Sequence, residues 1–366
     1  MDLKIKFYQS SRRRRYSVSC VTIGKITNYV RVFAMNNNSQ KPIMGFWANL
    51  PKPFFAAAPM ADVTDAAFRQ MIAKYSRHGE KGGGPDVFWT EFVSADGLCS
   101  AGREVLKRDL AFSDREHPIV AQIFSSNPEN MKKTAELIKE LGFDGIDINM
   151  GCPDKSIEKQ GAGAAHMKNI KLAQEVILAT MEGAGGLPVS VKTRIGYNKE
   201  NLEEWIGAIL ETKPAAITVH ARTRKDLSLV PARWEEVARA VKLAEGTGTL
   251  ILGNGDVKDL TDAGEKAHAT GADGIMLGRA MFGTPWLFDR TRTDPPTLHE
   301  KFEILIEHTH LFEKLLGDIK NFAIMKKHYK AYVNGFDGAK ELRVHMMDAK
   351  NAAEVESIAR DFLKTI

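Results

Sequence analysis

The sequence predicts a (β/α)8 TIM barrel followed by a small all-helical C-terminal domain. Three observations lead there. Eight short β-rich runs alternate with amphipathic helical stretches from Phe54 to about residue 290, the order that builds a parallel barrel. No Gly-rich dinucleotide turn follows the first run, so a doubly wound open sheet, the runner-up, lacks its signature. Beyond Pro295-Pro296 the apolar periodicity is helical only.

The chain opens on a basic segment. Residues 1–45 carry nine Lys or Arg against the single acid Asp2, a net +8 that leaves −3 for the rest of a chain of net +5. This extension is expected to be disordered. Its Arg- and Ser-rich, acid-poor composition fits an organellar transit peptide, an RNA-binding arm, or an extension upstream of a start at Met35 or Met44. The lack of core periodicity and of a cleavage pattern favours the last.

Residues 46–290 are the expected barrel. Its strands are read as Phe54–Ala58, Val87–Glu91, Ile119–Ile123, Gly145–Asn149, Val189–Lys192, Ala216–His220, Leu250–Asn254 and Gly274–Gly278. Helical patterns lie between them, such as Pro128 to Leu141, with Pro in its opening turn and Gly142 after its end. Leu172 to Met181 is another. Residues 291–298 form a linker, and 299–366 a helical domain. There Phe302, Leu305, Ile306, Leu311, Phe312, Leu315 and Leu316 repeat at helical spacing. Lys320, Lys326, Lys327, His328, Lys330, Lys340 and Arg343, with Tyr329 and Tyr332 between them, suit either a solvated helix face or a surface that follows an RNA backbone.

Composition narrows the function. No apolar run is long enough to span a bilayer, so no membrane partner is expected. Cys20, Cys99 and Cys152 lie far apart without CxxC spacing. Neither a disulfide framework nor a metal site is suggested, and a reducing cytoplasm is the expected location.

Polar and special residues recur where the strands end, the face on which such barrels build active sites. Pro59 and Met60 follow the first strand and Gln122 sits in the third. Asn149 and Cys152 end the fourth, in a Gly151-Cys152-Pro153 corner. Lys192 and Arg194 come at the end of the fifth and just after it, and His220 and Arg222 likewise for the sixth. Asn254-Gly255-Asp256 close the seventh and Gly278-Arg279 the eighth. Glycines after strands seven and eight suit a phosphate. Lys192 on an apolar strand calls for an anionic partner, and Gln122 can face a heterocycle edge. A flat, phosphorylated cofactor fits these groups, flavin mononucleotide (FMN) best. Gly161-Ala162-Gly163-Ala164 is expected to be a flexible loop and His166 structural.

These residues fall in the order of the tRNA-dihydrouridine synthase family. Ala58 to Arg69 (APMADVTDAAFR) resembles its opening motif, and Asp147 to Pro153 with Lys155 its DINMGCPxK signature. Val191 to Gly196, Thr218 to Arg224, Gly253 to Asp256, and Gly278-Arg279 with Pro285-Trp286 resemble the later blocks. The resemblance implies an FMN-dependent reduction of specific tRNA uridines to 5,6-dihydrouridine with NADPH as reductant. It places Pro59, Met60, Gln122, Lys192, His220, Asn254, Gly255, Asp256, Gly278 and Arg279 at FMN, and makes Cys152 the proton donor. Asn149 and Arg194 would hold the base, and Arg222, Lys326, Lys327 and Arg343 would contact tRNA, the protein acting as a monomer. Asp62 departs from the family, which usually has Gly there, as do Leu227 to Pro231 and His166. A flavin barrel acting on a small molecule, similar to dihydroorotate dehydrogenases, and an RNA-binding protein without catalysis are the alternatives.

Overall fold

A computed structural model gives the structure of residues 41–365, so what the sequence suggests of residues 1–40 lies outside the described residues. Eight parallel strands form one sheet in the order β1-β8-β7-β6-β5-β4-β3-β2. They are β1 (Phe54–Ala57), β2 (Phe88–Ser94), β3 (Ile119–Phe124), β4 (Gly145–Met150), β5 (Val189–Arg194), β6 (Ala216–His220), β7 (Leu250–Asn254) and β8 (Gly274–Leu277). A parallel bridge between Ala56 and Val87, with Ala57 N–H donating to Val87 O at 3.1 Å, closes the sheet on itself. The expected barrel is present.

β2 differs most from its reading. It starts at Phe88 and runs on to Ser94, because a register shift between Trp89 and Phe92 carries the chain past Glu91. An irregularity of this kind turns a charged residue aside without ending the strand. β4 and β5 likewise run one and two residues beyond the expected ends, through Met150 and Arg194, and the second extension delivers Arg194 to the mouth.

The helices between strands are set by their ends and their apolar faces. In Pro128–Glu140 the Asn127 side chain accepts the N–H groups of Glu129 and Asn130, and Pro128 occupies the first turn. Met131, Ala135 and Ile138 of that helix are buried with Ala173, Val176 and Ile177 of Ile170–Ala184. The two helices touch so closely that a Cβ on Gly183 would lie 2.1 Å from Lys132 O. Beneath the N-terminal ends of the strands, a short turn Gly45–Asn49 inserts Trp47, whose ring lies 5.7 Å from Phe54 and 5.8 Å from Trp89.

Helices Leu298–Leu316, Lys326–Tyr332, Ala339–Asp348 and Ala352–Leu363 follow, the first opened by a reciprocal Thr297–Glu300 cap. Leu298–Leu316 packs along the barrel helix Ala66–Tyr75, with Phe68 stacked on His308 and Glu307 accepting from Lys74 and Tyr75. The interleaved tyrosines are not a surface feature. Tyr329 and Tyr332 are buried, as is His328, because they occupy the inward face of their helix while Lys327 and Lys330 face out.

Candidate active site at the mouth of the barrel

The loop after β1 is held by its own side chains. Met60 N–H donates to Thr64 Oγ1 at 2.8 Å, and Asp65 caps the next helix through Phe68 N–H. Arg69 is fully buried, donating to Glu116 (2.6 Å) and to the carbonyls of Thr64 and Ala111. Asp62 has φ +53, the left-handed region glycine favours. Asp tolerates it better than most residues, and its N–H meets Glu91. The residue that departs from the family pattern thus adopts a backbone conformation that a glycine favours.

Two cavities open at the C-terminal ends of the strands. The larger, about 670 Å³, takes in Pro59, Met60, Lys192, His220 and Asn254. Gly255, Asp256, Gly278 and Arg279 also line it. The smaller, about 150 Å³, brings together Gln122, Asn149, Cys152 and Arg194. Pro59, Met60, Lys192 and His220 line both, so the two spaces adjoin.

Gly255 has φ +128, and a Cβ there would come within 3.0 Å of Ala232 and 3.2 Å of the His220 ring. That backbone is bare because nothing larger fits. Asp256 follows with φ +52 and takes ion pairs from both Arg222 and Arg279. Against the pull of burial, the Ala232 N–H and the Arg222 guanidinium hold its carboxyl below the usual range. Asn254 is already committed, donating to Met276 O at 2.8 Å and accepting Lys192 Nζ at 3.4 Å.

The site is rich in cations. Burial, reinforced by Arg194, brings the Lys192 ammonium down to about 8. Burial also lowers Arg194 to about 10. His220 falls well below its ordinary value through burial and the surrounding Arg194, Lys192, Arg222 and Arg279 charges, so its imidazole is neutral. The Cys152 thiol is pushed up by burial, with the Asp154 charge adding to it, against the opposing pull of the Asp154 backbone hydrogen bond and of Arg194 and Lys192. It is an acid that keeps its proton at neutral pH.

Both arginines line the mouth and are also tied to backbone carbonyls. Arg194 donates to Gly151 O (2.9 Å), Thr223 O (3.1 Å) and Leu227 O (3.0 Å), tying the cysteine corner to the loop after β6. Arg222 lines the larger cavity rather than the one beside Cys152, with Nε donating to Val230 O. The divergent Leu227–Pro231 segment is therefore anchored through its carbonyls, while its Leu229 side chain stands 83% exposed.

Gly161 to Ala164 is not an open loop. Ala162, Gly163 and Ala164 are buried, Ala164 N–H donates to Cys152 O at 2.9 Å, and a Cβ on Gly163 would lie 2.8 Å from that oxygen. The segment backs the cysteine corner. His166 is buried beside it with Nδ1 on Gly163 O, a structural position. Phe92 also lines the smaller cavity and went unnoticed in the sequence, because it lies beyond the β2 irregularity.

Lys326, Lys327 and Arg343 line neither cavity. Lys327 reaches Asp62 at 3.4 Å, Arg343 donates to Val333 O at 2.7 Å, and Lys326 is half-buried. Lys320 turns inward to Glu91 at 2.6 Å. Among the described residues, no group of three or more His, Cys, Asp or Glu could hold a metal, and no helix is long and apolar enough to cross a membrane.

Comparison with known proteins gives a consistent set of relatives. A family model described as "Dihydrouridine synthase (Dus)" matches residues 56–366. A Staphylococcus aureus (strain Mu50) protein named "Probable tRNA-dihydrouridine synthase" is 38% identical over 322 residues, covering 87% of this chain and 95% of that protein. "Probable tRNA-dihydrouridine synthase 2" of Bacillus subtilis (strain 168) is also 38% identical, covering 87% and 96%. Among solved structures, an old yellow enzyme homologue from Zymomonas mobilis aligns with a TM-score of 0.46 at 13% identity, over 67% of this chain and 90% of that one.

Proposed function

The chain belongs to the dihydrouridine synthase family, and on that footing we propose that it reduces uridine in tRNA to 5,6-dihydrouridine, with FMN as cofactor and NADPH as reductant. The observation that carries this reading is the charge pattern of the mouth. Lys192, Arg194, Arg222 and Arg279 line the two cavities around a neutral His220, with Asp256 paired to Arg222 and Arg279. Such a concentration of like charge is costly to bury unless an anion shares it. Bare backbone at Gly255 and charge at Arg279 suit a phosphate, and Lys192 and the free N–H of Gln122 suit a heterocycle's carbonyl edge.

When bound, the flavin supplies a hydride to one carbon of the uracil double bond. The protein's task is then to protonate the neighbouring carbon. Cys152 stands in the adjoining smaller cavity as a protonated thiol, able to give up its proton without a metal. Lys192, at the junction of the two cavities, bears a positive charge that stabilises negative charge developing on the base. The base must leave its stack to enter a pocket of this size, which a folded RNA loop permits more readily than a duplex. The free thiols Cys99 and Cys152 suit a reducing cytoplasm.

The test is nucleoside mass spectrometry of tRNA from a dihydrouridine-deficient bacterium expressing this chain or its Cys152→Ala variant. Dihydrouridine restored by the wild type alone supports both the reaction and the acid. Its absence from tRNA exposed to soluble, flavin-loaded protein would overturn the proposed substrate.

A further inference from the structure

Asp147 is a carboxylate without a role in the account above. It sits in the middle of β4, 0% exposed, below the smaller cavity rather than lining it. Its register partners on the two neighbouring strands are Gln122 of β3 and Ser190 of β5, and it bonds to both. Ser190 Oγ donates to one carboxylate oxygen at 2.6 Å and Gln122 Nε2 to the other at 2.7 Å. The Gln122 carbonyl oxygen accepts Asn149 Nδ2 at 3.1 Å. The Asn149 carbonyl oxygen in turn accepts the N–H groups of Gly151 (3.2 Å) and Cys152 (2.9 Å).

We propose that Asp147 is a positioning residue for Cys152, acting through the Gln122 and Asn149 amides to fix the Gly151-Cys152 corner. The chain has a direction, and its two ends agree on it. An ionised carboxylate only accepts, so Gln122 must turn its NH2 toward Asp147 and its oxygen toward Asn149. Asn149 must then give its NH2 to Gln122 and its oxygen to the corner, where backbone N–H groups only donate. Reversing either amide sets donor against donor at one end. Because each buried polar group is satisfied only in this arrangement, the network specifies one position of the corner. Asn149 is largely used up in this work, with one Nδ2 hydrogen and little acceptor capacity left for a substrate base.

Changing the carboxylate to an amide removes the demand for direction at this end, because an amide can turn either its oxygen or its NH2 toward Gln122. Where the Asp147→Asn oxygen stays on Ser190 Oγ and the new NH2 faces Gln122, Gln122 flips, and Asn149 flips after it. Its NH2 then meets two backbone N–H groups and the corner loses its anchor. Moving the charge one step along, in the double variant Asp147→Asn/Gln122→Glu, restores the direction. The amide at 147 donates to the new carboxylate, which again accepts from Asn149. Ser190→Ala removes a hydrogen bond from the same carboxylate without reversing anything.

The experiment uses purified flavin-loaded protein and measures iodoacetamide labelling of Cys152 by peptide mass spectrometry, flavin content, and kcat and KM for tRNA. The proposal rests on the reading given above for its kinetic arm only; the labelling arm needs no substrate. Loss of the anchor should expose the thiol and raise its labelling rate several-fold in Asp147→Asn. It should also lower kcat roughly tenfold to a hundredfold, as a misplaced reacting group does, with a smaller change in KM. The double variant should return labelling toward the wild-type rate, and Ser190→Ala should stay within about twofold of it. If Asp147→Asn does not fold, the double variant still tests the direction, since it should fold and label as the wild type does. Unchanged labelling in Asp147→Asn, or a double variant no closer to wild type than the single one, would overturn the proposal. Wild-type protein that makes no dihydrouridine yet shows the expected labelling pattern would instead refute the reaction and leave the positioning role standing.

Discussion

Arg69→Met isolates the ion pair that holds the first loop of the mouth. Arg69 and Glu116 are both 0% exposed and 2.6 Å apart, and the arginine also satisfies the Thr64 and Ala111 carbonyls. Methionine replaces its aliphatic stem without the guanidinium and leaves Glu116 with only the Ser113 N–H and hydroxyl as partners. Removing one member of a buried pair typically costs ~3–5 kcal/mol. A stranded carboxylate has one escape, which is to take up a proton. At pH 7 that costs an ordinary Glu about 3.7 kcal/mol, and about 2.7 kcal/mol less at pH 5. The gap between wild type and variant should therefore be several kcal/mol at pH 7 and shrink by about 2–3 kcal/mol at pH 5, the sense expected when the folded variant binds a proton that the unfolded chain does not. Urea unfolding at the two pH values measures it. The double variant Arg69→Met/Glu116→Gln should recover part of the loss and lose the pH dependence. A gap under about 1 kcal/mol, or one that is flat with pH, would refute the view that this pair bears the loop's electrostatic load.

Three further outcomes follow from the site. Cys152→Ala should keep its flavin and still oxidise NADPH while uridine reduction falls by about 10²–10⁴-fold, the usual worth of a positioned acid; full turnover would remove Cys152 from the chemistry. Lys192→Ala should retain less flavin after gel filtration, read from absorbance at the flavin band, and an unchanged content would count against its cofactor role. Because burial raises the Cys152 thiol above its ordinary value, the proton-donating form persists as pH rises. Lys192, brought down to about 8, loses its charge first, so the thiol is tested in Lys192→Arg, whose charge persists. Single-turnover reduction there should decline only above the usual thiol range, and a fall between pH 7 and 8 in that variant would mean that the thiol is not the acid.

Much of this architecture could be read from the chain. β6 and β7 match their expected limits to the residue, since each is a short apolar run ended by a polar group, His220 or Asn254, that the barrel presents at its mouth. β2 could not be read the same way, because its irregularity places Glu91 at 5% exposure within the strand, where it meets Lys320 from the C-terminal helices. The partner that makes a buried Glu tolerable lies 229 residues away. The same applies to Tyr332, whose buried ring packs against His308 of another helix. Residue type showed that the mouth was polar. It did not show that Arg194 spends its hydrogen bonds on backbone carbonyls, or that Asp147 governs the direction of two amides, since both facts depend on which strands are neighbours.

The two cavities also explain why the mouth holds so many cations that do not all touch one ligand. Arg222 and Arg279 converge on Asp256 at the far end of the larger cavity, so their charge is partly balanced before any ligand arrives. Lys192 has no such carboxylate in hydrogen-bond contact; its oxygen partner is the neutral Asn254 amide at 3.4 Å, with Asp147 acting on it only through space. It is also the cation lining both cavities that burial and Arg194 together weaken most directly. A ligand anion near Lys192 would raise its proton affinity, while a ligand near Arg279 would change little, since an arginine stays charged throughout. On the proposed function, Lys192 is therefore the cation through which a bound anion would act on the thiol. Arg194 and Lys192 both pull Cys152 toward ionisation, and an anion that offsets the Lys192 charge would favour the protonated thiol.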